Sequence, residues 1–174
     1  MTIEIIISIL LIIIILYYLL NNYKIEFFNH KGPSKVSKKD EEFLLQHFDK
    51  KSMKTFEKYY HIVNVNRLIK DNKIIAMVFD TNNKFIQEIP HISWNGLFLS
   101  HLGVDKNYRN KGIGTKMIKK VINKAKQLNK DHVMLLVKKK NKQAISLYEK
   151  LGFKKYQEGI MMNGIEGIYY VKYL

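Results

Sequence analysis

The sequence predicts one α/β domain behind an N-terminal membrane-spanning helix. Three observations carry that reading. Ile5–Leu20 is almost wholly apolar. Leu97–Leu128 reads as a strand, a glycine-bearing loop and an amphipathic helix in succession. Between and beyond them, short apolar runs alternate with helical patterns in the order β-α-α-β-β-β-α-β-α-β-β, an α/β arrangement.

A length of 174 residues suits one domain with an appendage. Cysteine is absent, so neither a disulfide framework nor a cysteine metal site is available. Formal net charge is +15, from 30 Lys+Arg against 15 Asp+Glu. Such a field attracts phosphorylated ligands, anionic lipid or nucleic acid. The lysines are spread over every segment, the pattern of a solvated surface rather than a nucleic-acid groove.

Ile5–Leu20 is broken only by Ser8 and the Tyr17-Tyr18 pair, and has no polar face. At ~1.5 Å per residue it falls slightly short of a ~30 Å hydrocarbon core, and Thr2 and Ile3 extend it. Tyr17, Tyr18 and Tyr23 suit an interfacial belt. A cleaved signal peptide would need a basic leader and a small-residue cleavage site, whereas Glu4 and Asn21-Asn22-Tyr23 stand there. The reading is an uncleaved anchor over 1–22; a buried core helix is the alternative. Lys24, Lys31, Lys35, Lys38 and Lys39 follow the run and no Lys or Arg precedes it, which places the domain on the cytoplasmic side. A juxtamembrane segment, 23–36, and a globular domain, 37–174, complete the expected division.

Lys24–Asn29 reads either as a first strand or as a spacer. Ser37 or Asp40 caps a helix running to about Phe48. A second short helix is expected over Ser52–Tyr60. Asn64–Lys70 and Lys73–Asp80 flank Asp71-Asn72 as a β-hairpin. Thr81–Asn95 is the least legible stretch and reads as a loop over the substrate side, with Glu88, His91 and Trp94. The helix from Gly112 to Leu128 stacks Ile113, Met117, Val121 and Ala125 on a core stripe. Its other face carries Lys116, Lys119, Lys120, Lys124 and Lys126. Val133–Val137 is a buried strand, and Gly152 ends a helix begun near Lys142. Phe153–Gln157 and Gly167–Tyr173 close the sheet.

The loop Arg109-Asn110-Lys111-Gly112-Ile113-Gly114-Thr115 enters a helix N-terminus. The first-turn N–H groups there lack helical partners, the macrodipole is positive, and glycine admits an anion close to the backbone. The unit favours phosphate or pyrophosphate. It lacks the third glycine of a dinucleotide fingerprint and the Lys-Ser/Thr of a P-loop. Alone, Gly-x-Gly is also compatible with a simple turn. Downstream stands Asn141-x-x-Ala144-x-x-x-Tyr148-Glu149-Lys150-Leu151-Gly152-Phe153. Together, Arg109-x-x-Gly112-x-Gly114 and Asn141–Phe153 resemble the GNAT-type N-acetyltransferase superfamily, firmly over Leu97–Phe153 and more loosely over Tyr60–Leu174.

The resemblance implies the GNAT fold, a mixed central sheet flanked by helices, and acetyl-CoA as co-substrate for transfer to a primary amine. It assigns Arg109–Thr115 to the pyrophosphate. It assigns the backbone of Leu102, Gly103 and Val104 to the pantetheine arm and the acetyl carbonyl, and Asn141 to the pantetheine region, where a helix cap is the plainer role. Tyr148 matches the family's general acid; a core aromatic is its plainer role. The base departs from the family. Where relatives carry Glu or His, this chain has Phe98 on the strand before the loop and Leu136 on the next. His101 is on the right strand, but period-2 alternation sets it opposite Phe98 unless a bulge intervenes. Glu88 and His91 are further candidates, and each of the three reads more readily as structural. An inactive acyl-CoA-binding module is therefore the alternative function. No metal is expected.

Overall fold

The computed structural model describes residues 3–21, 24–29, 36–50, 53, 63–82, 92, 93, 95–160, 164 and 166–174, with side chains in the first two ranges only for 6–16. The expected helix over Ser52–Tyr60, Glu88, His91 and Trp94 lie outside the described residues, Met53 apart.

The chain runs as α1 (Ile3–Asn21), β1 (Lys24–Asn29), α2 (Lys38–His47), β2 (Asn64–Lys70), β3 (Lys73–Asn82), β4 (Gly96–Val104), α3 (Ile113–Gln127), β5 (His132–Lys138), α4 (Lys142–Lys150), β6 (Lys154–Ile160) and β7 (Glu166–Tyr173), with a 3₁₀ turn at Lys106–Tyr108. The seven strands form one sheet in the order β1-β2-β3-β4-β5-β7-β6. Every pairing is antiparallel except β4 with β5. Such a mixed sheet follows from the connections: hairpins join β2 to β3 and lead β6 to β7, whereas α3 supplies the crossover that parallel β4 and β5 require. Of the two readings of Lys24–Asn29, the strand holds, pairing from Lys24 opposite Ile69 to Asn29 opposite Asn64.

One face of the sheet carries α3 and α4. There Leu68, Val78, Leu97, Leu99, Val133 and Leu135 pack against Ile113, Met117, Ile118, Val121 and Ala125, with Tyr148, Leu147 and Phe153 from the α4 region. The predicted stripe of α3 is buried and is widened by Ile118 and Ile122. The opposite face carries α2, whose Phe43 and Leu44 meet Val65, Met77 and Phe79. Farther along that face Met134 and Val171 pack with Phe98, Tyr156 and Tyr169. Ser37 caps α2, accepting from the Asp40 backbone N–H at 3.2 Å. Asp40 in turn forms a buried, two-pronged ion pair with Arg67 of β2, which fixes α2 against the sheet.

Along α1, Ile6–Leu16 are exposed throughout, from 41% for Ile6 to 56% for Leu11 and Ile12. Among the described residues no helix is long and apolar enough to cross a membrane. The part of α1 described to the side chain, Ile6–Leu16, would by itself rise only about 16 Å.

Candidate active site

β4 and β5 pair only from Gly96 opposite His132 to Leu99 opposite Leu135. Beyond that point β4 continues to Val104 beside β3, and β5 continues to Lys138 beside β7. The two parallel strands part, and a cavity of about 850 Å³ lies between them. Its walls come from both sides of the sheet. Gly112, Ile113, Gly114, Asn141, Leu147 and Tyr148 line it on the α3 and α4 side; His47, Phe48, Asp49, Phe98, Ser100 and His101 line it on the α2 side. The cleft therefore passes through the sheet.

A bulge shapes the β4 wall. The β3–β4 register moves from Met77 opposite Gly103 to Phe79 opposite Ser100, so β4 carries one extra residue there. His101 absorbs it with φ +49, in the left-handed region. The other described non-glycine residues in that region are all Asn or Asp. The extra residue reverses alternation. Leu102 and Val104 join the α3-side core. The His101 ring instead meets Phe48 and Phe79 edge-on, with centroids 5.2 and 5.9 Å away. Simple period-2 reading set His101 opposite Phe98; the structure corrects this and places both on the α2 face of the cleft.

On the side toward β5, the backbone of Leu102, Gly103 and Val104 has no strand partner among the described residues. An extended ligand could lie along that edge as an added strand would. The loop that follows is held by local chemistry. Asp105 accepts from the Asn107 backbone N–H at 2.8 Å, and the Arg109 Nε donates to the Val104 carbonyl at 3.0 Å. Arg109 thus ties the loop to the strand it leaves. Asn110 takes φ +60 and Gly112 φ +73. Gly112 is the N-cap of α3 and brings no side chain to that position, and an added Cβ there would meet nothing within 4 Å. The first-turn donors of Ile113, Gly114 and Thr115 are thereby left to a ligand. Gly114 serves a different need: its Cβ would stand 3.3 Å from Leu147 Cδ2. The first glycine gives the backbone its left-handed turn and the second lets α3 approach α4.

Asn141 caps α4, its Oδ1 accepting from the Ala144 N–H at 3.1 Å, and also lines the cleft. Tyr148 is 6% exposed, packs edge-on against Phe153 at 5.8 Å and borders the cleft. Burial pushes its hydroxyl up to about 12, so it remains protonated at neutral pH. Phe98 and Leu136, at the positions where a carboxylate or imidazole base was sought, both line the cleft and are apolar. Lys111 lies over the Tyr108 ring, its Nζ 5.5 Å from the centroid. Among the described residues no cluster of three or more His, Asp or Glu is placed to hold a metal ion.

His47, Phe48 and Asp49 were missed by the sequence reading. His47 ends α2 and Phe48 and Asp49 follow it, and nothing local marks them: only the sheet brings them opposite β4. The His101 bulge had a weak signal, the glycine Gly103 inside the strand run Leu97–Val104.

The residues present fit an acyl-CoA. A glycine-capped helix start, an open strand edge and a buried hydroxyl converge on one cleft, and these are donors for phosphates, for amides and for a leaving sulfur. A site of this kind suits a protein that holds an acyl-CoA between two parted strands. The chain belongs to the Acetyltransferase (GNAT) family, whose model matches residues 19–153. It is 45% identical over 56 residues to N-alpha-acetyltransferase 30 of Xenopus laevis, covering 32% of this chain and 20% of that protein. The chain thus matches about a fifth of that relative's length. Among solved structures it is similar to an IAA acetyltransferase from Bacillus cereus (TM-score 0.66, 15% identity, 88% of this chain and 100% of that one). It is equally similar to a GNAT family acetyltransferase from Elizabethkingia anophelis with acetyl-CoA bound (TM-score 0.66, 20% identity, 88% of this chain and 99% of that one).

Proposed function

We infer that the protein transfers the acetyl group of acetyl-CoA to the α-amine of a polypeptide N-terminus, from a position anchored to a membrane by α1. The observation that carries the transferase reading is the cleft through the sheet. Its walls offer phosphate donors on the α3 side and His47, Phe48, Asp49 and His101 on the α2 side, so two substrates can meet in one space. In this reading the first-turn N–H groups of Gly112–Thr115 hold the pyrophosphate, and the Leu102–Val104 edge holds the pantetheine amides. A β4 amide polarises the acetyl carbonyl, Asn141 steadies the pantetheine region, and Tyr148 protonates the leaving sulfur. The N-alpha-acetyltransferase relative supports the acceptor class. An α-amine, with an ordinary pKa near 8, needs less help to shed its proton than a lysine near 10.4.

Two features support the anchor. α1 is a 19-residue helix with no basic residue in its last turn, and its described side chains are exposed and apolar apart from Ser8. Its 19 residues rise about 28 Å, close to the ~30 Å of a hydrocarbon core. The lysines after it favour a cytoplasmic domain. The test is turnover of an amine panel, with free-N-terminus peptides, lysine side chains and polyamines side by side, followed by release of free CoA thiol. Peptide N-termini should be preferred; transfer to polyamines alone would remove the acceptor assignment. CoA binding without transfer to any amine would favour an acyl-CoA-binding module. Alkaline carbonate extraction tests the anchor, and full-length protein in the soluble fraction would remove it.

A further inference from the structure

We propose that His101, carried onto the acceptor side of the cleft by the β4 bulge, takes the proton that the acceptor nitrogen sheds as it attacks the acetyl carbonyl. The inference rests on the acetyltransferase reading above and supplies the base that Phe98 and Leu136 do not.

Three observations converge. First, the backbone accepts a left-handed conformation at a side-chain-bearing residue, φ +49 at His101. Such strain costs on the order of 1 kcal/mol and persists where the surrounding fold enforces it, commonly beside functional sites. Its consequence is specific: without the extra residue the imidazole would point into the α3-side core. Second, His101 lines the same cleft as Tyr148, but on the opposite wall. The proton donor to the sulfur and a proton acceptor for the nitrogen then flank one space from its two sides, as thioester aminolysis requires. Third, the ring is set between Phe48 and Phe79, with its Nδ1 buried. These aromatic walls fix its plane and keep it neutral. Burial lowers its pKa to about 4, while the negative charge of Asp49 opposes that fall. A neutral imidazole has a lone pair to offer at pH 7.

The charged and titratable groups around it come from three elements. His47 ends α2 and its Nδ1 lies 2.7 Å from the Phe43 carbonyl. Asp49 follows α2 and lies 3.8 Å from the Lys138 ammonium of β5. Tyr148 projects from α4. Asp49 is thus the one carboxylate of this set, and it stabilises the imidazolium that the transfer creates.

The step balances as follows. The amine enters deprotonated, and its lone pair forms the C–N bond to the acetyl carbon. Bond formation makes that nitrogen strongly acidic, so a weak base suffices, and one N–H proton passes to the imidazole. The C–S bond breaks, and the sulfur takes the Tyr148 proton. The imidazolium and the tyrosinate then return to their starting states by net passage of one proton through water. The products are the N-acetyl amine and CoA thiol.

The experiment uses the full chain in detergent micelles, acetyl-CoA and a peptide with a free N-terminus. His101→Asn keeps a residue that accepts φ > 0, and His101→Gly leaves a space between Phe48 and Phe79. Wild-type protein must first release CoA thiol in the presence of peptide; its failure to do so would overturn the acetyltransferase reading itself. With wild type active, His101→Asn should lower kcat at least 100-fold, within the usual 10²–10⁴ range of a general base. Its acetyl-CoA affinity by calorimetry should stay within about twofold. Between pH 7 and 9 its kcat should climb about tenfold per unit as hydroxide replaces the imidazole, where wild type levels off. Added imidazole should restore His101→Gly in a saturable manner. Either variant with kcat within twofold of wild type would overturn the proposal. So would a loss that imidazole does not restore and that follows the wild-type pH profile, or a loss of acetyl-CoA affinity itself, which would assign the bulge to the cofactor wall.

Discussion

Lys124 of α3 places its Nζ 2.9 Å from Asp80 Oδ1 and 3.1 Å from Oδ2 at the end of β3. The carboxylate is fully buried and also accepts from Asn64 Nδ2 at 2.9 Å and Asn66 Nδ2 at 2.8 Å. Helical spacing assigned Lys124 to the solvent face with Lys116, Lys119, Lys120 and Lys126. Its long stem instead lets the ammonium turn inward, which a helical wheel cannot show. The pair fastens α3, and with it the glycine-capped loop, to the β3 strand that supports the bulge. Lys124→Met should cost about 2 kcal/mol, because it leaves a buried carboxylate with amide donors alone. Urea denaturation of wild type and variant gives the difference; a change under 0.5 kcal/mol would make the contact incidental.

The two loop glycines should respond differently to alanine. Gly112→Ala forces a Cβ onto a φ of +73 and should cost about 1–2 kcal/mol, while also intruding on the anion approach. Gly114→Ala brings a methyl to 3.3 Å from Leu147 Cδ2, a contact a small shift relieves. Calorimetry with acetyl-CoA should therefore show the larger affinity loss for Gly112→Ala. The reverse order would mean that the spacing of α3 and α4, rather than the left-handed cap, sets the phosphate site.

Tyr148→Phe removes one hydroxyl and keeps the ring against Phe153. Thermal stability and acetyl-CoA affinity should hold within experimental scatter, while kcat falls roughly 10²–10⁴-fold. With the hydroxyl held near 12, wild-type kcat should show no descending limb below about pH 10 from this group. A variant with kcat within twofold of wild type would leave Tyr148 as a core aromatic only.

The strands and helices of the domain were legible because their signals are periodic and local. The Asn64–Lys70 and Lys73–Asn82 hairpin, the α3 stripe, the Ser37 cap and the Gly152 stop at φ +82 all rest on neighbours in sequence. The loop Arg109–Thr115 was legible as a glycine turn into a helix N-terminus for the same reason. The tie from Arg109 to the Val104 carbonyl, the face of His101 and the approach of His47 and Asp49 were not. Each depends on which strands lie side by side and where they part, and a single residue of bulge at His101 inverts the alternation on which face assignments rest. The buried Asp40–Arg67 pair falls in the same class. Asp40 sits among charged neighbours in sequence and Arg67 between Asn66 and Leu68, and only the packing of α2 on β2 joins them across 27 positions.

Acid should weaken the fold through its buried histidines. His101 is held down to about 4, and burial lowers His132 as well, against an ordinary value of 6.5. In each case the fold favours the neutral ring. Between pH 6.5 and about 4 the unfolded chain therefore binds more protons than the folded one, and stability falls as pH falls. For His101 alone the slope approaches about 1.4 kcal/mol per pH unit, or up to about 3 kcal/mol across that window. Asp131 acts in the same direction: its carboxylate accepts from Ser93 at 2.6 Å and Asn95 at 3.1 Å, which lowers its pKa, so protonating it also weakens the native state. Above pH 6.5 the histidines contribute no slope. Melting temperature should thus be flat from pH 7 to 8 and drop steadily from pH 6 to 4.5. His101→Asn, which has no group to protonate, should show a shallower drop than wild type over the same range. Parallel curves for the two proteins would mean that His101 titrates alike in the folded and unfolded chain. The aromatic setting of Phe48 and Phe79 would then not hold the imidazole neutral.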